Sequence, residues 1–255
     1  MAGEVTLSVR EKLASTGIES EERAGRVTAL PVSACEVGAL VRLARQEGWT
    51  VAAAWMPADV VAPAPVHVST ERMGVVAEIL PADLMAVVGA GVTAGALEER
   101  LREHSMFWPV SDEVGPDEAI GDILARASGN WTRGGNLVRK YVLGLEAVLA
   151  DGAVVKTGSR TVKCVTGYDL KQLFIGSCGV LGVIVSAVLR LEAAPRRAAL
   201  RATYETDFAG LAGNGVLADA AAPAGGSLAI LRRLKKELDP DGVFPPVEVA
   251  LGGRG

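Results

Sequence analysis

The sequence predicts a folded domain that mixes α-helices with β-strands. Three stretches carry that expectation: a helical apolar pattern after a strand at "PVSACEVGALVRLARQEGW", a strand that runs through Gly89-Ala-Gly91 into a helix, and two β-rich runs joined at Asp151-Gly152. Apolar residues make up 49% of the 255, enough for one large core or two modest ones.

In chain order, residues 1–25 read as an N-terminal segment without the basic-then-apolar layout of a signal peptide. Val37, Leu40, Val41, Leu43 and Ala44 then recur at roughly helical spacing, after an opening Pro-Val-Ser and with Gly48 as a stop. "TVAAAW" predicts a short buried strand, and the proline-punctuated "PADVVAPAPVHVS" ends in a strand-like Val-His-Val. "VVAEILPADLMAVVGAGV" predicts two strands around a Pro-Ala-Asp turn, followed by a helix with a Thr start and a Leu97/Leu101 stripe. "VLGLEAVLADGAVVKTG" is the hairpin, because Asp-Gly accepts the positive φ angles that a two-residue turn demands.

Beyond the hairpin, "GYDLKQLFIG" predicts a short helix with Leu170, Leu173 and Phe174 on one face, capped by Asp169 and anchored by Tyr168. "GVIVSAVLRLEAAP" predicts a strand closed by Pro195. Residues 196–226 are Ala- and Gly-rich with weak periodicity, a linker or reduced region. "GSLAILRRLKKELDPDGVFPP" predicts a basic amphipathic helix stopped at Asp239-Pro240.

Composition excludes several function classes. The net charge of −4 is dispersed, so no basic footprint for nucleic acid or an anionic membrane surface stands out. No apolar run approaches the roughly 20 residues of a membrane span, and the chain reads as cytoplasmic. Cys35, Cys164 and Cys178 are odd in number and lack CxxC spacing, which argues against a disulfide framework or a metal cluster. His67 and His104 are the two histidines, a thin supply for acid–base chemistry.

Several motifs in order narrow the reading further: Gly89-Ala-Gly91-Val92, Ile120-Gly121, Ser128-Gly129, "VLGLEAVLADG", "GYDLKQLFIGS" followed by "GVLGVI", and the terminal "LKKELDPDGVF". This series resembles the flavin domain of the FAD-linked oxidases typified by vanillyl-alcohol oxidase and glycolate oxidase, most of all the smaller flavin-type subunit of bacterial glycolate oxidase. The resemblance implies an α+β, PCMH-type FAD-binding fold of two α/β subdomains over residues 26–195. FAD would lie between them, and residues 227–255 would form the C-terminal helix and tail. It makes Gly89, Gly91, Val92, Pro109, Gly121, Ser128, Gly129, Gly179, Val183 and Ile184 the candidate cofactor contacts. Glycines among them can let backbone N–H groups approach a diphosphate, and Val183-Ile184 would lay its main chain along the flavin ring. Taken alone, each glycine is more often a turn or a close-packing position than a ligand contact. Cys178 is read as a core or loop residue. Arg133, Arg139 and Lys140 are solvated loop charges, with an anionic ligand or a partner as the alternative.

The chain departs from that family in places that bear on the cofactor. No glycine occurs between Gly48 and Gly74, where a phosphate loop is expected, and Ala52, Ala53, Ala54 and Pro57 make a poor nest of N–H donors. Gly121 is followed by Asp122, a carboxylate where a diphosphate would approach, unless it points away or pairs with Arg126. In place of a substrate (cap) domain stands the short, histidine-free "RRAALRATYETDFAGLAGNGVLADAAAPAGG", so the cap is largely missing and no alcohol-oxidising site can be assembled from it. The expectation is an FAD-binding-type accessory subunit of a heteromeric 2-hydroxy-acid oxidoreductase, without catalytic or metal-ligating residues of its own. It would relay electrons between a larger catalytic flavin subunit and an iron–sulfur subunit. The alternative is a flavin-free assembly subunit whose degenerate cleft is a protein interface.

Overall fold

The computed structural model describes residues 2–56, 66–127, 134–158, 169–203 and 225–248. Two sheets organise them. The first has strands β1 (Ser20–Arg23), β2 (Arg26–Ala29), β3 (Val51–Ala53) and β4 (Val66–Val68) in the order β1-β2-β4-β3. β1 and β2 are antiparallel, whereas β2, β4 and β3 run parallel.

Helices α1 (Ala2–Ser15) and α2 (Ala34–Glu47) cover this sheet. Val37, Leu40, Val41 and Ala44 meet Val27, Ala29, Val51, Val66 and Val68 in one core, as their helical spacing requires. Ser33 Oγ accepts from Glu36 N at 3.2 Å and starts α2. Neither α1 nor β1 was legible in the sequence. Val9 and Leu13 of α1 enter the same core, so the N-terminal segment is continuous with the sheet.

The second sheet is antiparallel, with β5 (Val76–Leu80), β6 (Met85–Gly89), β8 (Val142–Val148), β9 (Val154–Gly158) and β10 (Val183–Arg190) in the order β5-β6-β10-β8-β9. A short pair, β7 (Met106–Phe107) and β11 (Glu192–Ala193), stands beside it. The β8–β9 hairpin turns where expected. Gly152 has φ +79°, and Asp151 Oδ1 accepts from Ala153 N at 2.8 Å.

Helices α3 (Ala94–Arg102), α4 (Ile120–Arg126), α5 (Gly134–Lys140) and α6 (Lys171–Phe174) supply Leu97, Leu101, Ile120, Leu124, Leu137 and Phe174 to the core on one face of this sheet. Helix α7 (Gly225–Leu238) packs Leu231, Leu234 and Leu238 against that core.

Strands β8 and β10 serve both cores. Leu145, Ala147, Ile184 and Leu189 enter the core beneath α3 to α6, whereas Val148 and Val185 enter the core of the parallel sheet. A bulge between Ile184 and Ser186 resets the alternation, so Ala187 returns to the first face. Strands β8 and β10 of the antiparallel sheet therefore link the two cores.

One local expectation needs correcting. Helix α6 is only four residues long, and Leu170 is 51% exposed because the turn begins after it. Asp169 does not cap this helix through its side chain. Its carboxylate accepts from Lys171 Nζ at 2.5 Å and Gln172 Nε2 at 3.0 Å. Tyr168, Cys164 and Arg133 lie outside the described residues.

Candidate functional site

A cleft opens between the two sheets. Val51, Ala53 and Val68 come from the parallel sheet, Gly182, Val183 and Ile184 from the turn into β10, and Gly121, Asp122 and Ala125 from α4. Trp55, Thr70 and Phe244 belong to the lining, as does Gly179. The cavity measures about 30 Å³, room for about two ordered waters.

Among the described residues, Asp122 is the charged group in this lining. Burial pushes its carboxyl up to about 6, against the pull of Arg126. Of the two alternatives for Asp122, pointing away or pairing with Arg126, the pairing is not made through the carboxylate. Arg126 Nε donates to the Asp122 backbone carbonyl at 3.3 Å, while its Nη2 pairs with Glu118 Oε2. The Arg126 guanidinium also lies 5.7 Å from the Trp55 ring centre, a cation–π distance.

Of the ten candidate contacts, Gly121, Gly179, Val183 and Ile184 line the cleft. Gly89, Gly91, Val92 and Pro109 lie elsewhere, and Ser128 and Gly129 fall outside the described residues. Val92 is buried in the antiparallel core, and Pro109 is buried in the one-turn helix 109–112 after β7.

The glycines at the end of β6 have a packing reason. A Cβ at Gly91 would run into Thr70 O and stand 2.8 Å from Glu71 O, and one at Gly89 would run into Met73 O. At Gly121 a Cβ would meet the Ala90 Cβ at 2.7 Å. Their N–H groups are also engaged within the chain. Gly89 N donates to Val75 O at 2.8 Å, Ala90 N to Val185 O at 3.0 Å, and Gly91 N to Met73 O at 3.3 Å. Val92 N donates to Gly89 O at 3.1 Å and Gly121 N to Ala90 O at 2.8 Å.

On the opposite side, Ala54 N donates to Val68 O at 2.9 Å and Met56 N to Ala53 O at 3.0 Å, whereas Pro57 lies outside the described residues. Cys178 has φ +51° and packs with Ala52, Ala53, Trp55 and Met56. Burial pushes its thiol up, away from thiolate chemistry, in keeping with a core or loop residue. Arg139 Nη2 donates to Ile175 O at 2.8 Å and its Nη1 to Gln172 O at 3.0 Å, so it braces the segment after α6.

No histidine is among the described residues of the cleft lining. His67 is buried on β4 and is held neutral, with burial and then the nearby Arg26 charge pushing it down to about 4. Among the described residues no cluster of His, Cys, Asp and Glu could hold a metal ion, and no helix is long and apolar enough to cross a membrane.

Residues 26–158 match the protein family described as "FAD binding domain". The chain belongs to that family. Curated relatives include the mitochondrial D-lactate dehydrogenase [cytochrome] of Arabidopsis thaliana, 41% identical over 45% of this chain and 20% of that protein. Another is glycolate oxidase subunit GlcD of Bacillus subtilis, 35% identical over 53% of this chain and 29% of that protein. The chain thus spans less than a third of either relative. Among solved structures, Physcomitrella patens BBE-like 1 superposes with a TM-score of 0.56 at 20% identity, covering 72% of this chain and 44% of that one, which shows the fold. The fold is accordingly the α+β, PCMH-type FAD-binding fold that the sequence predicts.

Among the lining residues that the sequence did not offer as contacts is Phe244, which reaches the cleft from beyond α7. Its only signal is its place after Asp239-Pro240-Asp241-Gly242. Trp55 and Thr70 carry no sequence signal that separates them from ordinary core and turn residues.

Proposed function

We propose that the chain is an accessory subunit of a heteromeric 2-hydroxy-acid oxidoreductase, working in the cytoplasm beside a larger catalytic flavin subunit and an iron–sulfur subunit. Its relatives' names support the chemistry, because lactate and glycolate are both 2-hydroxy acids, and one relative is named as a subunit. Among the described residues no histidine lines the cleft, which leaves it without an imidazole base for such a substrate.

Two forms of this role exist, an electron relay through bound FAD and a flavin-free assembly subunit. The observation that favours the flavin-free form is the engagement of Gly89, Ala90, Gly91, Val92 and Gly121 N–H groups by the chain's own carbonyls. A diphosphate needs N–H donors or cations, and the described residues of the cleft offer it an aspartate instead. That set of described residues supports the flavin-free form. The relay form draws support from Val183 and Ile184, the first two residues of β10, which line the cleft.

The test is to purify the chain alone and together with the proteins encoded beside it, and to record the visible spectrum of each sample. A colourless chain that copurifies in fixed ratio with a flavoprotein supports the flavin-free subunit. About one FAD per chain overturns that form in favour of the relay. A chain that binds no flavoprotein neighbour overturns the accessory role itself.

A further inference from the structure

His67 lies in the middle of the parallel sheet, opposite Thr28 on β2 and Ala52 on β3, and is 3% exposed. Side chains alternate along a strand, so it points to the face away from Val66 and Val68, which pack in the core with α1 and α2. Arg26 Nη1 stands 3.4 Å from His67 Nε2 and donates to Met56 O at 2.9 Å. A guanidinium has hydrogens to give and no lone pair to receive one, so Nε2 is the bare nitrogen and the ring hydrogen sits on Nδ1. That Nδ1 finds no partner among the described residues.

We propose that His67, Arg26 and Met56 form an acid-released latch on the cleft wall: a proton taken up by His67 drives the Arg26 guanidinium off the Met56 carbonyl and frees residues 54–56, Trp55 of the lining among them. The proton enters at Nε2, the nitrogen that faces the Arg26 cation. Ring and guanidinium then present hydrogens and positive charge to each other, and the half-buried arginine is the partner that leaves for water. Among the described residues no counter-charge softens this repulsion. Thr28, Ala52, Trp55 and Met56 carry none, and burial keeps the Cys178 thiol neutral against Ala52 and Met56. On β1, Glu21 stands opposite Thr28 and Arg23 opposite Arg26, but these two pair with each other, and Arg23 pairs with Glu71 as well.

With the latch closed His67 stays neutral down to about 4, because burial and then the Arg26 charge push it below the ordinary 6.5. A released ring regains the ordinary value, so opening takes up a proton between those limits and becomes easier as the pH falls. From pH 7.5 to pH 5 the opening equilibrium rises about thirtyfold. The latch works in the same way whether or not the cleft holds a flavin.

Its reporters are the Ala54 and Met56 amides, which donate to Val68 O at 2.9 Å and to Ala53 O at 3.0 Å. Their hydrogen exchange in the full chain is followed by NMR at pH 7.5 and pH 5, with and without urea below the unfolding transition, and corrected for the intrinsic effect of pH on exchange. The expected protection is about thirtyfold lower at pH 5 and independent of urea there, because a local opening exposes little surface. His67→Gln keeps a carbonyl to accept from Arg26 but takes up no proton, and is expected to lose the pH dependence. Arg26→Met leaves Met56 O without its donor, and is expected to show the low protection already at pH 7.5. Circular dichroism establishes that each variant is folded.

A urea slope equal to that of the global transition would make the opening an unfolding of the whole chain and overturn the latch. Equal protection at the two pH values, or full protection in Arg26→Met at pH 7.5, would overturn it as well. The parent's own pH and urea dependence decides the matter should a variant fail to fold.

Discussion

Lys235 Nζ donates to Val180 O at 2.8 Å and thereby fastens helix α7 to the turn that enters β10. The same ammonium donates to Phe244 O at 3.0 Å and pairs with Asp239, whose side chain is fully buried. Asp239 in turn accepts from Val243 N at 2.8 Å and Phe244 N at 2.9 Å. This clasp is what brings Phe244 to the cleft.

Replacing Lys235 by Met leaves a buried carboxylate without its cation. The expected cost is about 3 kcal/mol, read as a lower urea midpoint with the slope unchanged. A loss under about 0.5 kcal/mol would show that the two backbone N–H groups satisfy Asp239 by themselves.

His67 sets an acid limit. Its folded value near 4 lies below the ordinary 6.5, so between those values the unfolded chain takes up a proton that the folded chain refuses. Stability is therefore lost as the pH falls from about 6.5 to 4, by up to about 3 kcal/mol. His67→Leu removes this slope, and urea midpoints at pH 7.5 and pH 5 measure the difference between parent and variant.

Asp122 produces the opposite slope. Its folded value near 6 lies above the ordinary 3.8, so its contribution is fully present below 3.8 and lost as the pH rises through 6. Asp122→Asn is expected to stabilise the chain by about 2 kcal/mol at pH 7.5 and to leave it unchanged at pH 4. Between pH 4 and 6 the two contributions have opposite signs, so the His67 and Asp122 variants are expected to diverge from the parent in opposite directions.

Gly91→Ala tests why that glycine is needed. The added Cβ would overlap Thr70 O, an overpacking cost of about 3 kcal/mol, or roughly 10 °C in melting temperature for a domain of this size. The loss is expected to be the same with and without added FAD. A loss seen only when FAD is present would assign Gly91 to cofactor binding instead.

The parts of the fold legible in the sequence are those fixed by neighbours along the chain. Ser33 and Gly48 bound α2, Thr93 starts α3 through a 3.2 Å bond to Ala96 N, and Asp151-Gly152 turns the hairpin, because each signal acts within a few residues. Local signals also misled where they competed. Asp169 stands one residue too early to cap α6, whose N-cap position is Leu170, and its carboxylate is held by the Lys171 and Gln172 side chains instead. The cleft was half legible. Gly121, Gly179, Val183 and Ile184 do line it, whereas Gly89 and Gly91 answer to the carbonyls of residues 70–73, a contact between distant loops that no spacing rule encodes.

Strands β8 and β10 give Ala147 and Ile184 to one interior and Val148 and Val185 to the other. The halves of the molecule are consequently expected to melt as one cooperative body, since neither can lose its packing without stripping the reverse side of the same ribbon. A cleft braced from behind in this way needs no occupant to keep its shape.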